Sequence, residues 1–347
     1  MVVDAELTRS VHGALARYSA LTMPALERVV PRDEPRSYLY DLVLDYPRRG
    51  GKALRAGLCI ATTGALGGHP TEAVNTAASL ELAHNAFLIH DDVEDESDTR
   101  RGAPTLHTDH GVPLAINAGD ATAMLALRPL LDNHHLLGPE LANQLLVEFE
   151  LMIRRTIEGQ AVELGWRRYN VVDLEPLDYL RMVWGKTCWY TAVYPMRAGA
   201  LIAARGDVAP SLFDDFGLCL GALFQITDDI QNLEPTDSAY GKELYGDILE
   251  GKRTLPLIHL LHHASPRDRS RLIDFLATPR SERTFADAQA IHHQMVRHGS
   301  VDWARGYARG LADDGRDMFD VAHRDSLDNE HRRFVAELLV YLVRRLD

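Results

Sequence analysis

The strongest constraint on the fold is the recurrence of apolar residues at three- and four-residue intervals along most of the chain. The spacing is clearest in residues 73–90, 140–164, 211–233 and 332–346. It puts apolar side chains on one face of a helix, and little of the chain shows the alternation that is typical of strands. The pattern therefore predicts an all-α fold.

Short groups of proline and glycine separate these stretches, and none is long enough to link two domains. They occur at residues 46–51, 67–70, 102–104, 174–176 and 265–266. Neither a repeat of about 20 to 50 residues nor a low-complexity tract is present. Residues 1–347 are accordingly predicted to form a single domain, a helical bundle with a central cavity.

Charge and composition limit the partners. The net charge of −13 disfavours nucleic acid and anionic lipid, so a phosphate-bearing ligand requires a local group of Lys and Arg. No segment approaches the run of about 18 apolar residues that spans a membrane, and the N-terminus lacks an apolar targeting run. Cys59, Cys188 and Cys219 lie far apart in apolar contexts, as buried thiols do in a reducing compartment. We expect a cytoplasmic protein.

The densest chemical signal is an acidic group that follows an apolar helical run at residues 80–89. It contains Asp91, Asp92, Glu94 and Asp95. On a continuing helix, Asp91 and Asp95 share a face, where their oxygens suit a hard divalent cation such as Mg²⁺. A solvated acidic helix end is the alternative for this group taken alone.

A second pair, Asp228 and Asp229, also ends an apolar helical run. If the two helices face each other across a bundle, the two groups can hold metal ions that neutralise the diphosphate of a substrate as it leaves. Ionisation of an allylic diphosphate is the reaction that such a site favours.

Basic residues beside glycines are the local exceptions to the acidic background. They are Lys52 and Arg55 after Gly50 and Gly51, Arg100 and Arg101 after the first acidic group, and Lys186, Lys242 and Lys252 in three GK dipeptides. Arg offers forked donors and Lys a point charge to phosphate oxygens. The WGKT segment lacks the earlier glycine of a P-loop and follows no strand, so a P-loop is excluded.

The motifs GGKALR, HNAFLIHDDVED, RRGAPT, GKT, FQITDD and GKELYGDILEGKRTLP occur in this order between about residue 46 and residue 259. The order of these motifs resembles that of the trans-polyprenyl diphosphate synthases of the isoprenoid synthase family. The DDIQNL segment, with GDILEGK behind it, resembles the eukaryotic-type geranylgeranyl diphosphate synthases, which also carry Asn at the position equivalent to Asn232 of this sequence. The resemblance implies long antiparallel helices around a deep apolar cavity, a homodimer, and Mg²⁺, with three ions when substrate is bound. It implies head-to-tail condensation of isopentenyl diphosphate with an allylic diphosphate.

The resemblance also assigns roles to individual residues. The implied metal ligands are Asp91, Asp95 and Asp228, supported by Asp92 and Asp229. The residues implied to hold the allylic diphosphate are Arg100, Lys186 and Lys242, with Lys252 as a further substrate-binding residue. Those implied to hold isopentenyl diphosphate are Lys52, Arg55, His84 and Arg101. Thr187 and Gln225 are expected to line the site near the forming cation.

One departure from the family pattern is Asn232, which stands where many members carry a third Asp. A class I terpene cyclase is a rival, but its second metal motif needs Ser or Thr and then Glu at four-residue steps, where this chain has Asn232 and Thr236 after Asp228. A non-catalytic partner subunit is another rival, which could lose its carboxylates without penalty.

Product length is expected to depend on Ala86 and Phe87, one helical turn before Asp91. We expect both side chains to face the cavity beneath the metals, where the first bulky group stops the growing chain. Small Ala86 with bulky Phe87 predicts the twenty-carbon geranylgeranyl diphosphate, with the fifteen-carbon farnesyl diphosphate as the alternative. Phe87 could instead be ordinary core, with the floor of the cavity set near residues 117–121.

Overall fold

The computed structural model describes residues 2–234 and 243–346. The first helices are α1 (Val2–Val29), α2 (Asp41–Arg48), α3 (Leu54–Ala65) and α4 (Val74–Glu94). The middle of the chain forms α5 (Leu106–His110), α6 (Val112–Leu125), α7 (Leu127–Leu136), α8 (Pro139–Arg168), α9 (Pro176–Val183) and α10 (Tyr194–Ala203). The last helices are α11 (Asp214–Asn232), α12 (Gly246–Glu250), α13 (Leu255–His263), α14 (Pro266–Ala277), α15 (Phe285–Arg297), α16 (Ser300–Ala322) and α17 (Glu330–Arg344).

Other regular structure in the described residues is short. Two π-helical segments span Arg36–Tyr40 and Trp184–Val193, and 3₁₀ turns span Pro70–Ala73, Pro210–Phe213 and Arg280–Glu282. Strands β1 (Thr99–Arg100) and β2 (Ala103–Pro104) pair antiparallel. The all-α prediction is confirmed, and the predicted helical stretches lie within or across α4, α8, α11 and α17.

The first acidic group lies in the last turn of α4. Helix α4 continues through Asp91 and Asp92 to Glu94, and Asp95 is its C-terminal cap. Lys186 pairs with Asp91 and Arg100 pairs with Asp92, so the helix can continue through these carboxylates. Repulsion between adjacent acids therefore does not end the helix here.

The core is built around α3, all of whose residues are buried. Its sequence, LRAGLCIATTGA, combines small and apolar residues, so neighbouring helices can pack on every side of it. Helix α3 packs against α10, α4 and α17, while α11 packs against the π-helical segment Trp184–Val193 and against α16. The first and last helices, α1 and α17, also pack against each other. None of the helices in the described residues is long and apolar enough to cross a membrane.

Candidate active site

A cavity of about 550 Å³ lies between α3, α4, α11 and the π-helical segment Trp184–Val193. Twelve of the predicted site residues line it: Lys52, Arg55, His84, Asp91, Arg100, Arg101, Lys186, Thr187, Gln225, Asp228, Asp229 and Lys252. The predicted residues Asp92, Asp95, Ala86 and Phe87 do not line it. Lys242 lies outside the described residues. Residues far apart in sequence thus meet at one place.

The lining of the cavity is mixed rather than uniformly apolar. Its apolar members include Leu54, Leu88, Met182, Val183 and Phe224. Charged side chains occupy much of the remaining wall, so the cavity offers an ionic region beside an apolar one. Such a site fits a molecule that has a charged head and a hydrocarbon tail.

Asp91 is held by donors from two other helices. Lys186 Nζ and Gln160 Nε2 lie 3.2 Å and 3.1 Å from Asp91 Oδ1. Burial would raise the pKa of Asp91, but the positive charges of Lys186, Lys252 and Arg100 outweigh it and hold the pKa far below its ordinary value. Asp91 is therefore a carboxylate at neutral pH, as a ligand for Mg²⁺ must be.

Asp92 points away from the cavity and is fully buried. Tyr46 donates a hydrogen bond of 2.5 Å to Asp92 Oδ2, and Arg100 donates to Oδ1 through both Nε and Nη2. Burial raises the pKa of Asp92, although the Arg100 charge opposes this effect. Both oxygens are occupied by donors, so Asp92 fixes Arg100 and the end of α4.

Asp95 is also buried and is neutralised by two cations. Arg167 donates to its Oδ1, and Lys252 Nζ lies 2.8 Å from its Oδ2. Lys252 also contacts Glu250, and Asp247 Oδ1 lies 3.6 Å away. A metal ion can reach Asp95 only after these cations move.

The second carboxylate pair repeats the arrangement of the first. Asp228 lines the cavity one turn beyond Phe224 on α11. Asp229 accepts hydrogen bonds of 2.7 Å from Tyr179 and from Gln225. Gln225 in turn accepts a 2.9 Å hydrogen bond from Thr187. In each pair, the second acid is held by a buried tyrosine.

Basic side chains from the loop before α3, the start of α3 and the β1–β2 turn form another part of the wall. Arg55 is buried, donates to Thr191 at 3.0 Å and lies 4.2 Å above the ring of Tyr190. Arg101 donates to the Tyr46 carbonyl, and a Cβ on Gly51 would lie 3.0 Å from its guanidinium. Glycine at this position therefore lets Arg101 lie against the backbone of the loop.

Two buried polar atoms in this wall make no hydrogen bond within the described residues. They are Arg55 Nε and His84 Nδ1. Burial, with the charges of Arg55 and Arg101, holds the pKa of His84 well below its ordinary value, so the ring is neutral. Buried polar atoms normally have partners, and here a bound ligand can supply them.

Close backbone contact places Lys186 in the cavity. A Cβ on Gly159 of α8 would lie 2.0 Å from the backbone nitrogen of Lys186, and a Cβ on Gly185 would lie 3.0 Å from Gly159 Cα. The two glycines let α8 lie against the π-helical segment. Short π-helical segments are frequent at functional sites. Lys186 then reaches Asp91 and Glu163.

Ala86 and Phe87 do not lie where the sequence led us to expect. Ala86 is buried, with 2% of its surface exposed. Phe87 packs edge to face against Tyr190, with 5.5 Å between the ring centroids, and Tyr190 lines the cavity. Phe87 therefore contacts the cavity indirectly, through the side chain of Tyr190.

Sequence reasoning missed several residues that hold the acids or their cationic partner Lys186. They are Tyr46, Gln160, Glu163, Arg167 and Tyr179. Tyr46 had one signal, its place at the start of the region of resemblance. The others read as ordinary parts of amphipathic helices.

Mg²⁺ fits this donor set as an ion shared with substrate. In the residues that the structure describes, no group of three or more His, Cys, Asp or Glu side chains could hold a metal by itself. Mg²⁺ is commonly bound by one or two carboxylates, waters and substrate phosphates. Asp91 and Asp228, which face one cavity from two helices, match that mode.

Comparison with known proteins agrees with the motifs. The polyprenyl synthetase family matches residues 36–294. The chain is 33% identical over 259 residues to a short chain isoprenyl diphosphate synthase of Methanothermobacter thermautotrophicus, covering 75% of this chain and 77% of that one.

Two solved structures share the fold over nearly the whole chain. Geranylgeranyl pyrophosphate synthetase from Pyrococcus horikoshii is 27% identical with a TM-score of 0.82, covering 95% of this chain and 98% of that one. A polyprenyl synthase from Caulobacter crescentus, complexed with calcium and isoprenyl diphosphate, is 25% identical with a TM-score of 0.80, covering 98% and 97%. The chain belongs to the polyprenyl synthetase family and is a prenyltransferase.

Proposed function

We propose that this enzyme condenses isopentenyl diphosphate head to tail with an allylic diphosphate and requires Mg²⁺. The observation that carries the proposal is the convergence, in one cavity, of carboxylates from α4 and α11 with Lys and Arg side chains from separate parts of the chain. Two diphosphates can enter an acidic protein only where such local positive charge exists. The relative that binds calcium and isoprenyl diphosphate supports the same assignment.

The allylic diphosphate is assigned to the side of the cavity beside Asp91. Arg100 and Lys186 lie there as donors to its oxygens, with Lys252 next to them and Lys242 as a further candidate outside the described residues. The proposed metal ligands are Asp91, Asp95 and Asp228, for three ions with substrate bound. When bound, Mg²⁺ supplies positive charge that stabilises the departing diphosphate.

Isopentenyl diphosphate is assigned to the wall formed by Lys52, Arg55, His84 and Arg101. The unsatisfied Arg55 Nε and His84 Nδ1 support this assignment, because a phosphate oxygen accepts from the first and a neutral imidazole can pair through the second. Tyr190 lines the same cavity and lies beneath Arg55 and against Phe87.

In the proposed reaction the allylic C–O bond breaks, and the isopentenyl double bond attacks the resulting cation. A proton is then lost from the new chain to the released diphosphate. Arg100 and Lys186 stabilise the charge on the leaving group, while the oxygens of Thr187 and Gln225 face the cation. The protein aligns the two substrates and excludes water.

We propose geranylgeranyl diphosphate as the main product. The name of the Pyrococcus relative supports it. The indirect contact of Phe87 with the cavity, through Tyr190, gives Phe87 a route to influence the length of the chain.

We also propose a single domain that forms a homodimer. The packing of α1 against α17 supports one domain. Helices α6, α7 and α8 carry exposed apolar side chains, which mark contact surfaces when they cluster. They include Leu114, Ile116, Leu131, Val147 and Ile157. Light scattering after gel filtration tests the assembly, and a monomer at micromolar concentration would contradict it.

The function is tested by incubating the purified chain with Mg²⁺, isopentenyl diphosphate and, in turn, dimethylallyl, geranyl and farnesyl diphosphates. Chromatography of the dephosphorylated products gives reaction, substrate and product length together. We expect geranylgeraniol as the main alcohol and no product in EDTA. Farnesol would indicate the shorter product. Hydrocarbons formed without isopentenyl diphosphate would indicate a cyclase, and no turnover would indicate a partner subunit.

A further inference from the structure

Asn232, the last residue of α11, stands four residues after Asp228, where a third acid would share its helix face. The position therefore suggests the hypothesis that the Asn232 side chain contacts a metal ion. In the structure this side chain is buried, with 2% of the residue exposed. It is turned toward the chain segment that leads into α12.

Three hydrogen bonds join Asn232 to that segment. Its Nδ2 donates to the Glu243 carbonyl oxygen at 3.1 Å, and its Oδ1 accepts from the Asp247 backbone nitrogen at 2.9 Å. Its own carbonyl accepts from the Tyr245 backbone nitrogen at 2.9 Å. One residue thus binds the segment on both sides of Tyr245, whose φ of +62° lies in the left-handed region.

The partners of the amide determine why an Asn is needed here. A backbone nitrogen can only donate and a carbonyl oxygen can only accept, so the orientation of the amide is fixed. A carboxylate would keep the bond from Asp247 but would set a charged acceptor against the Glu243 carbonyl. In a buried site, that unpaired charge is costly.

The segment held by Asn232 leads to groups at the cavity. Asp247 lines the cavity, and its Oδ1 lies 3.6 Å from Lys252 Nζ. Lys252 Nζ lies 2.8 Å from Asp95 Oδ2 at the end of α4. The end of α11 is thereby connected, through Asn232, to the first acidic group.

We propose that Asn232 is a positioning residue that fastens the start of α12, which carries Asp247 and is followed by Lys252, to α11, and that it does not bind metal. The inference rests on the proposed function, because it assigns Lys252 to the allylic side of that site. It accounts for the departure from a third Asp by a hydrogen bond that only an amide can donate.

The test compares Asn232→Asp, Asn232→Ala and the control Asn329→Ala. Asn329 also binds backbone groups, at the start of α17, and does not line the cavity. Hydrogen exchange of the Asp247 amide is followed without metal or substrate. We expect exchange to accelerate about tenfold or more in Asn232→Ala, which loses the acceptor of this amide, and to stay unchanged in Asn329→Ala.

Kinetics then separate positioning from metal binding. We expect KM for the allylic substrate to rise about tenfold in Asn232→Ala, with KM for isopentenyl diphosphate and the half-maximal Mg²⁺ concentration changed less than about twofold. An active Asn232→Asp enzyme that needs less Mg²⁺ would overturn the inference, as would unchanged Asp247 exchange in Asn232→Ala. A wild-type chain without turnover would defeat the proposed function, whereas the exchange measurement would still decide the role of Asn232.

Discussion

The ammonium group of Lys186 lies 3.2 Å from Asp91 Oδ1 and also contacts Glu163. A cation from the π-helical segment thus neutralises Asp91 in the last turn of α4. Burial would lower the pKa of Lys186, but Asp91 and Glu163 outweigh it and raise the pKa, so this lysine stays charged. In the proposed reaction, a diphosphate oxygen takes the place of the carboxylate beside Lys186.

Substitution of either proposed metal ligand should slow turnover severely. Asp91→Asn and Asp228→Asn each remove a negative charge that positions Mg²⁺ on the leaving group. The expected loss is on the order of 3 kcal/mol of transition-state stabilisation, roughly a hundredfold in rate. Steady-state rates at saturating Mg²⁺ measure it, with the surface variant Asp313→Asn as control. Near-normal turnover by a folded variant would refute the metal assignment.

The two phosphate walls should respond to substitution separately. Lys52→Ala and Arg55→Ala each remove an ionic hydrogen bond to isopentenyl diphosphate, which typically contributes about 1.5 to 3 kcal/mol. We expect KM for isopentenyl diphosphate to rise tenfold or more, by roughly that free energy, while KM for the allylic substrate changes little. Initial rates with each substrate varied in turn give both values. Equal increases in KM for both substrates would show that Lys52 and Arg55 belong to a general basic patch.

Product length should change when the ring beside Tyr190 is removed. Phe87→Ala takes away the edge-to-face partner of Tyr190, so the Tyr190 ring can move and enlarge the cavity. We expect the main product to gain one or more five-carbon units, at a cost of about 3 to 5 kcal/mol in unfolding free energy. Chromatography of the products measures the change. A folded variant with unaltered products would make Phe87 ordinary core.

The tyrosine that holds Asp229 should contribute to turnover beyond its contribution to stability. Tyr179→Phe removes the 2.7 Å hydrogen bond to Asp229, and Tyr194→Phe is a matched control that removes a buried hydrogen bond to the Leu145 carbonyl. Each variant should lose at most about 3 kcal/mol of unfolding free energy. Only Tyr179→Phe should slow turnover, by about tenfold. Similar rates for both variants would give Tyr179 a structural role alone.

The helical fold could be predicted because its signals are local, whereas the meeting of the proposed site residues in one cavity was implied by the resemblance to the trans-polyprenyl diphosphate synthases. Spacing along α4 and α11 marks the apolar faces, and adjacent acids such as Asp91 and Asp92 are conspicuous in an apolar run. The group that each acidic side chain contacts could not be predicted. Whether Asp92 faces a metal or a buried phenol depends on Tyr46, which lies far away in the chain and looks like ordinary core.

Ala86 and Asn232 show the same limit at single positions. Helical spacing gives the angle around α4 between Ala86 and Asp91. Tertiary packing determines which other helix covers the face of α4 that carries Ala86. Asn232 has the right distance from Asp228 for a shared site, yet its amide binds the backbone at Glu243 and Asp247. Residue spacing predicts which side chains share a face of one helix, but it does not predict their contacts with the rest of the chain.

The contact between Gly159 and the backbone of Lys186 limits how this enzyme can be redesigned. No side chain fits between α8 and the π-helical segment at that point, since even a Cβ would lie 2.0 Å from a backbone atom. Laboratory evolution that randomises the cavity walls would therefore find no viable replacement there. Libraries for altered product length are better directed to Leu88, Met182 and Phe224, whose side chains line open space.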